Sequence, residues 1–205
     1  METHLWLIRH GETAYNQERR IQGRLDIPLN DNGKEQARLL AEWMRTRPVD
    51  AVYASDLKRA VETAEAIAHL HGLTVNPLKG LRERSFGEWE GISFEELEER
   101  YPDWKAVWAE GGRYGVERFD ELSRRIAKQW EWIARRHPGA HVVVVGHGSS
   151  MHAGLMAIVH EQRTELNVRL TNTGVTSVTF HPEFGWQLVR VNQTDHLQTI
   201  KSADR

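Results

Sequence analysis

The chain has no cysteine. That absence removes disulfides, thiolate zinc sites and cysteine nucleophiles together, and it suits a reducing compartment. An excess of one charge is also missing: 27 lysines and arginines face 29 acids in 205 residues, a formal net charge of −2. No broad basic field therefore favours nucleic acid or an anionic membrane, and any anion site must be local. No apolar run approaches transmembrane length, and Met1-Glu2-Thr3-His4 is not a basic segment ahead of a long apolar one. A soluble cytoplasmic protein is expected. A Walker phosphate loop and a Gly-x-Gly-x-x-Gly after a strand are both absent, so nucleotide binding has no support. Eleven histidines are present, yet none falls at metal-ligand spacing. His160-Glu161 opens a His-Glu-x-x-His pattern that Thr164 does not complete, and His69-x-His71 lies near a helix end with no evident carboxylate partner. Neither a metal nor an organic cofactor is expected, and no motif specifies an oligomeric state.

What is present is organised around residues 4–13, where the apolar run Leu5 to Ile8 stops abruptly at Arg9-His10-Gly11. This is a buried strand that delivers two polar side chains into a turn. A polar loop follows, containing Asn16, Gln22-Gly23 and Asp26-Ile27-Pro28. Asn30 or Asp31 caps a helix over about 32–46, and Ala51 to Ala54 form a second strand. Ser55-Asp56 is then expected to cap a helix with Arg59 in its first turn. Residues 73–78 suit a third strand, and residues 117–136 suit a helix with Phe119, Leu122, Ile126, Trp130 and Ile133 on one face. The stretch between them mixes acids with Phe94, Tyr101, Trp104, Trp108 and Tyr114, and residues about 84–116 read as a lid rather than a core. Val142 to Val145 is the clearest buried strand. It ends in Gly146-His147-Gly148, after which Ser149 or Ser150 is expected to cap a helix to about Val159. Val175–Phe180 and Trp186–Val191 alternate like a hairpin. Together these predict one domain over 1–205, a three-layer α/β/α sandwich with a mainly parallel sheet.

Ligands in such sheets bind outside the carboxyl ends of the strands. His10, Arg59 and His147 are all expected there, with Arg9 beside them. Two arginines, two histidines, amides and a helix N-terminus describe a pocket for a compact dianion, phosphate before carboxylate or sulfate.

The ordered segments Leu7-Ile8-Arg9-His10-Gly11-Glu12-Thr13, Ser55-Asp56-Leu57-Lys58-Arg59-Ala60, Leu81-Arg82-Glu83 and Gly146-His147-Gly148 resemble the histidine phosphatase superfamily in its phosphoglycerate-mutase-like branch. The compact chain, with Gln22-Gly23-Arg24 and Phe86 to Gly91, looks most like the broad-specificity phosphatases of that family. The resemblance implies metal-independent hydrolysis of a small phosphomonoester through a phosphohistidine. It makes His10 the nucleophile, Arg9, Arg59 and His147 the phosphate clamp, and Glu83 the proton donor, with Glu12 as rival carboxylate. Asn16, Gln22, Gly23 and Gly148 are implied as further phosphate or substrate contacts. Asn172-Thr173-Gly174 either borders the pocket or is an ordinary turn. A 2,3-bisphosphoglycerate-dependent phosphoglycerate mutase is the alternative activity, and an inactive phosphate-binding scaffold is a weaker one. Trp89, Trp104, Trp108 and Tyr114 are candidate walls for an apolar ester.

Overall fold

The valine run lies at the middle of the sheet in the computed structural model, which describes residues 1–159 and 169–198. Strand β4 (His141–Gly146) has parallel neighbours on both sides, β1 (Thr3–Arg9) and β2 (Ala51–Ala54). The six strands are ordered β3-β2-β4-β1-β5-β6, where β3 is Val75–Pro77, β5 is Val175–His181 and β6 is Gly185–Gln193. The first four run parallel, while β5 and β6 form an antiparallel hairpin on β1.

Alternation along the strands divides the core between two faces. Val142 and Val144 join Leu5 and Leu7 against Ile126 and Trp130 of α6 (Phe119–Arg136) and Met151 and Leu155 of α7 (Gly148–Ile158). Val143 and Val145 join Ile8 and Val52 against Leu40 and Met44 of α2 (Asp31–Met44) and Ala64 and Ile67 of α3 (Lys58–Leu70). A strand covered on both faces has no polar side to alternate with, which is why it reads as four consecutive valines. At roughly 1.5–3 kcal/mol per buried aliphatic side chain, this strand anchors the fold.

Register then positions the chemistry. Arg9 pairs with Gly146, so the next residues, His10 and His147, leave the sheet at the same level. The His10 N–H donates to the Gly146 carbonyl at 3.0 Å, and the Ser55 N–H, following β2, donates to that of Val145 at 2.9 Å.

Two caps differ from expectation. Ser55-Asp56 does not cap α3: Leu57 holds the N-cap position without a side-chain bond. The Asp56 carboxylate is taken by a bidentate pair with Arg82 at 2.6 and 2.7 Å, and Asp26, 32 residues away in sequence, accepts from the Lys58 N–H at 2.8 Å. Neither Ser149 nor Ser150 caps α7, whose N-cap is His147, because both serines lie inside the helix. Their N–H groups are satisfied from elsewhere, as shown below.

Residues between β3 and α6 carry α4 (Phe94–Arg100) and α5 (Trp104–Glu110). With Ile21 of the loop after His10 they build a second, small core in which Phe86, Trp89, Leu97, Val107 and Val116 are buried. Expected to be lid rather than core, the segment has an interior. His160, Glu161 and Thr164 lie outside the described residues. Among the described residues no group of three or more His, Asp or Glu side chains is placed to hold a metal ion, and no helix is long and apolar enough to cross a membrane.

Candidate active site

The carboxyl ends of β1 and β4 bring the His10 and His147 rings edge to face, 5.1 Å between centroids. Arg59, completely buried in the first turn of α3, shares its Nε–H between His10 Nε2 and His147 Nδ1, each at 3.2 Å. Its other nitrogens donate to backbone carbonyls, Nη1 to Leu25 at 2.7 Å and Nη2 to Gly23 at 2.8 Å. Thus the polar loop after His10 serves as a mount for the guanidinium.

The tautomer of His10 follows from its neighbours. Nδ1 lies 2.7 Å from the Gly11 carbonyl oxygen, which can only accept. Nδ1 therefore carries the proton, and Nε2 keeps the lone pair. Burial, reinforced by Arg59 and Arg9, holds the His10 imidazole well below its usual pKa of 6.5. His147 is depressed in the same way by burial, Arg59 and His10. Both rings are neutral near pH 7. Arg9 donates from Nη1 to the Leu170 carbonyl at 2.6 Å. Burial lowers the Arg9 and Arg59 guanidinium pKa values to about 10, still charged at neutral pH.

Among the described residues, two buried donors at this point find no hydrogen-bond partner, Arg9 Nε and His147 Nε2. Unpaired buried donors are costly, and an oxyanion would satisfy both.

Glu83 is 8% exposed, and its two oxygens receive three backbone N–H groups. Oε1 accepts from Arg84 at 2.8 Å and Ser150 at 2.7 Å, and Oε2 accepts from Ser149 at 3.0 Å. The cap of α7 expected from the serines is thus supplied by a carboxylate at the helix's positive end. Arg82 and Arg84 turn away from it, Arg82 to Asp56 and Arg84 to the Glu117 and Trp108 carbonyls. Glu12, the rival carboxylate, accepts from Asn30 Nδ2 at 2.9 Å, and its backbone N–H is held by Gln36. It belongs to the packing of the turn on α2.

The cleft above these groups measures about 810 Å³ and is lined by Arg9, His10, Arg59 and Glu83 together with Asn16, Gln22, Gly23 and Gly148. Of the clamp, acid and substrate contacts that the resemblance implied, all but fully buried His147 contribute to its wall. Asn16 Oδ1 also closes the cap of the short helix α1 (Ala14–Gln17), Gln22 accepts from the Thr13 hydroxyl at 2.9 Å, and Gly148 packs against the Arg9 guanidinium. Of the four candidate aromatics only Trp108 lines the cleft; Trp89 is completely buried, and Tyr114 donates to Asp103 at 3.1 Å. Phe86, Phe94 and Phe119 line it instead. Asn172, left open in the sequence, donates from Nδ2 to the His10 carbonyl at 2.9 Å and to Asn16 Oδ1 at 3.3 Å. Buried Thr173 stands at φ 57°, and its N–H reaches the Arg9 carbonyl at 2.9 Å. An Asn-x-Gly turn was its sole signal.

Residues 5–194 match the family model described as histidine phosphatase superfamily (branch 1), and the chain belongs to that superfamily. It is similar to the "uncharacterized phosphatase PhoE" of Bacillus subtilis, with 33% identity over 195 residues, 95% of this chain and 97% of that one. Similarity to a "metal-independent phosphoserine phosphatase" of Arabidopsis thaliana is 34% over 206 residues, covering 97% and 84% respectively. Among solved structures, a phosphoserine phosphatase from Entamoeba histolytica in complex with 3-phosphoglyceric acid superimposes with a TM-score of 0.81 at 31% identity, covering 95% of this chain and 99% of that one.

Proposed function

We propose that the protein hydrolyses small phosphomonoesters in two displacements through a phosphohistidine on His10, without a metal. The observation that carries this reading is the His10 tautomer: the Gly11 carbonyl takes Nδ1–H, leaving Nε2 as a neutral nucleophile between Arg59 and His147. Nε2 attacks phosphorus in line, and the P–O bond to the leaving oxygen breaks as Glu83 delivers a proton to that oxygen. Water then attacks the phosphohistidine and gives its proton to Glu83, and phosphate leaves with His10 restored. Arg9, Arg59 and His147 stabilise the equatorial oxygens throughout, the work a cation would otherwise do.

The cleft exceeds what a phosphoryl group needs, and residues 84–116 serve as the lid over the remainder of the ester. The partner is a small molecule. Near-neutral net charge argues against nucleic acid or a membrane surface, and the cysteine-free chain suits the cytoplasm.

The test is to mix enzyme with 4-nitrophenyl phosphate, quench in alkali and weigh the peptide that contains His10. A phosphoryl adduct is expected in the wild type and not in His10→Ala, with turnover unchanged by chelator. Turnover that needs added Mg²⁺ or Zn²⁺, or that survives in His10→Ala, overturns the mechanism. Interconversion of 3- and 2-phosphoglycerate dependent on 2,3-bisphosphoglycerate, outpacing phosphate release, would replace phosphatase by mutase.

A further inference from the structure

Residues 82–85, which contain Glu83, belong to no helix or strand. No regular ladder therefore sets the position of Glu83's backbone. What does so is an ion pair outside the cleft, between Arg125 of α6 and Glu117 just before that helix.

All five N–H groups of the Arg125 guanidinium have partners. Nε donates to Glu117 Oε1 at 3.0 Å, and Nη2 donates to Glu117 Oε2 at 3.0 Å and to the Glu83 carbonyl at 3.4 Å. Nη1 donates to the Gly80 and Arg82 carbonyls, both at 2.9 Å. Glu117 holds the other side of the segment. Its Oε2 accepts from the Ser85 N–H at 3.1 Å, its backbone N–H donates to the Ser85 carbonyl at 2.9 Å, and its carbonyl accepts from Arg84 Nε at 2.8 Å. Arg24 joins them, donating to Glu117 Oε2 at 3.3 Å and to the Glu83 carbonyl at 3.4 Å. Each residue from 82 to 85 is therefore tied to this pair.

The pair's contact is a bidentate fork, and its side chains are only 23% and 12% exposed, whereas the forked pairs on the surface of α2, Arg38–Glu35 and Arg45–Glu42, are about half exposed. Neither residue lines the cleft. Any influence on the chemistry must pass through the segment they hold.

We propose that Arg125 and Glu117 are positioning residues that set the reach of the Glu83 carboxyl toward the leaving oxygen. This rests on Glu83 being the acid. The carboxyl is tied to the start of α7 and its backbone to the start of α6, so the acid spans two helices whose separation is fixed by the core. Loosening the backbone end moves the acid without touching the phosphate clamp.

The experiment compares kcat for an alkyl phosphate with kcat for 4-nitrophenyl phosphate, whose leaving group needs little protonation. Wild type, Arg125→Lys, Glu117→Gln and Glu83→Gln are measured in parallel. Lysine is a point donor and cannot bridge a carboxylate and three carbonyls. In Arg125→Lys and Glu117→Gln the alkyl-to-nitrophenyl ratio should fall roughly 10-fold to 10²-fold, the penalty of an ångström-scale misplacement, with KM and inhibition by inorganic phosphate unchanged. A purely structural defect lowers both esters together and leaves the ratio at the wild-type value, which overturns the proposal. If Glu83→Gln lowers the ratio while the other two variants do not, positioning alone is overturned. An unchanged ratio in Glu83→Gln overturns the acid assignment, and the positioning role falls with it.

Discussion

His10-Gly11 and His147-Gly148 each follow a buried strand, and the pairing of Arg9 with Gly146 sets their imidazoles side by side, yet the two turns use the same atoms differently. After His10 the chain does not enter a helix at once; it turns through Gly11 and Glu12, with Thr13 capping α1. The Gly11 carbonyl therefore points back to accept from His10 Nδ1. After His147 the helix starts immediately, and the His147 carbonyl is consumed by the Met151 N–H at 3.0 Å. His147 Nδ1 accepts from Arg59 instead, and Nε2–H is left as a buried donor. One ring is prepared to give an electron pair, the other to donate a hydrogen bond. In the proposed mechanism, what separates the nucleophile from the clamp is the backbone that follows it, because that backbone decides which nitrogen holds the proton.

The largest effect that would break this comparison is on phosphoryl transfer. His10→Gln should abolish both turnover and the phosphoenzyme. His147→Gln should slow turnover by roughly 10²-fold to 10³-fold, the usual worth of an oxyanion donor, while the phosphoryl group still accumulates on His10. Mass mapping after an alkaline quench separates the two, and a phosphoryl group on His147 would reverse the assignments.

The glycines should differ next. A Cβ on Gly11 would sit 2.6 Å from the Gly33 carbonyl oxygen, a backbone atom that cannot step aside, whereas one on Gly148 meets nothing closer than Arg9 Nε at 3.5 Å. Gly11→Ala should destabilise the fold by about 1–3 kcal/mol, as overpacking does, and Gly148→Ala by no more than about 0.5 kcal/mol. Urea unfolding would measure both. Equal losses would mean that the two turns are packed alike.

The weakest signature is in pH, where the two rings should behave alike. Both are held well below 6.5 by burial and neighbouring arginines. The unfolded chain therefore binds more protons than the folded one below about pH 6.5, and stability must fall as pH drops through that window toward the folded pKa values. Replacing both histidines with glutamine should flatten the decline in thermal midpoint between pH 7 and pH 5. An unchanged slope would show that the rings bind protons in the fold as they do in the unfolded chain.

Much of this was legible in the chain alone. Val142 to Val145 declared a doubly covered strand, and Leu122, Ile126, Trp130 and Ile133 at spacings of three and four declared the inner face of α6, because burial imposes its period on local sequence. The strand ends placed His10, Arg59 and His147 together on one edge of the sheet, and the resemblance of the ordered motifs added Glu83. Caps and aromatic walls were not legible. Ser55-Asp56 and Ser149-Ser150 satisfy local capping rules, but Asp56 was drawn to Arg82, and Glu83 reached the start of α7 from 67 residues away. Trp89 and Trp108 are indistinguishable by composition, yet one fills the small core and the other faces the cleft.

By itself the sequence determined the alternation of strands and helices, the sheet edge that carries the chemistry and the residue types gathered there. Only the tertiary structure decided which nitrogen of each imidazole holds its proton, which carboxylate caps α7 and what fixes Glu83. The reason is that hydrophobic period and turn chemistry act over a few residues. A hydrogen-bond partner, by contrast, is chosen among all groups brought within about 3 Å, however distant in the chain.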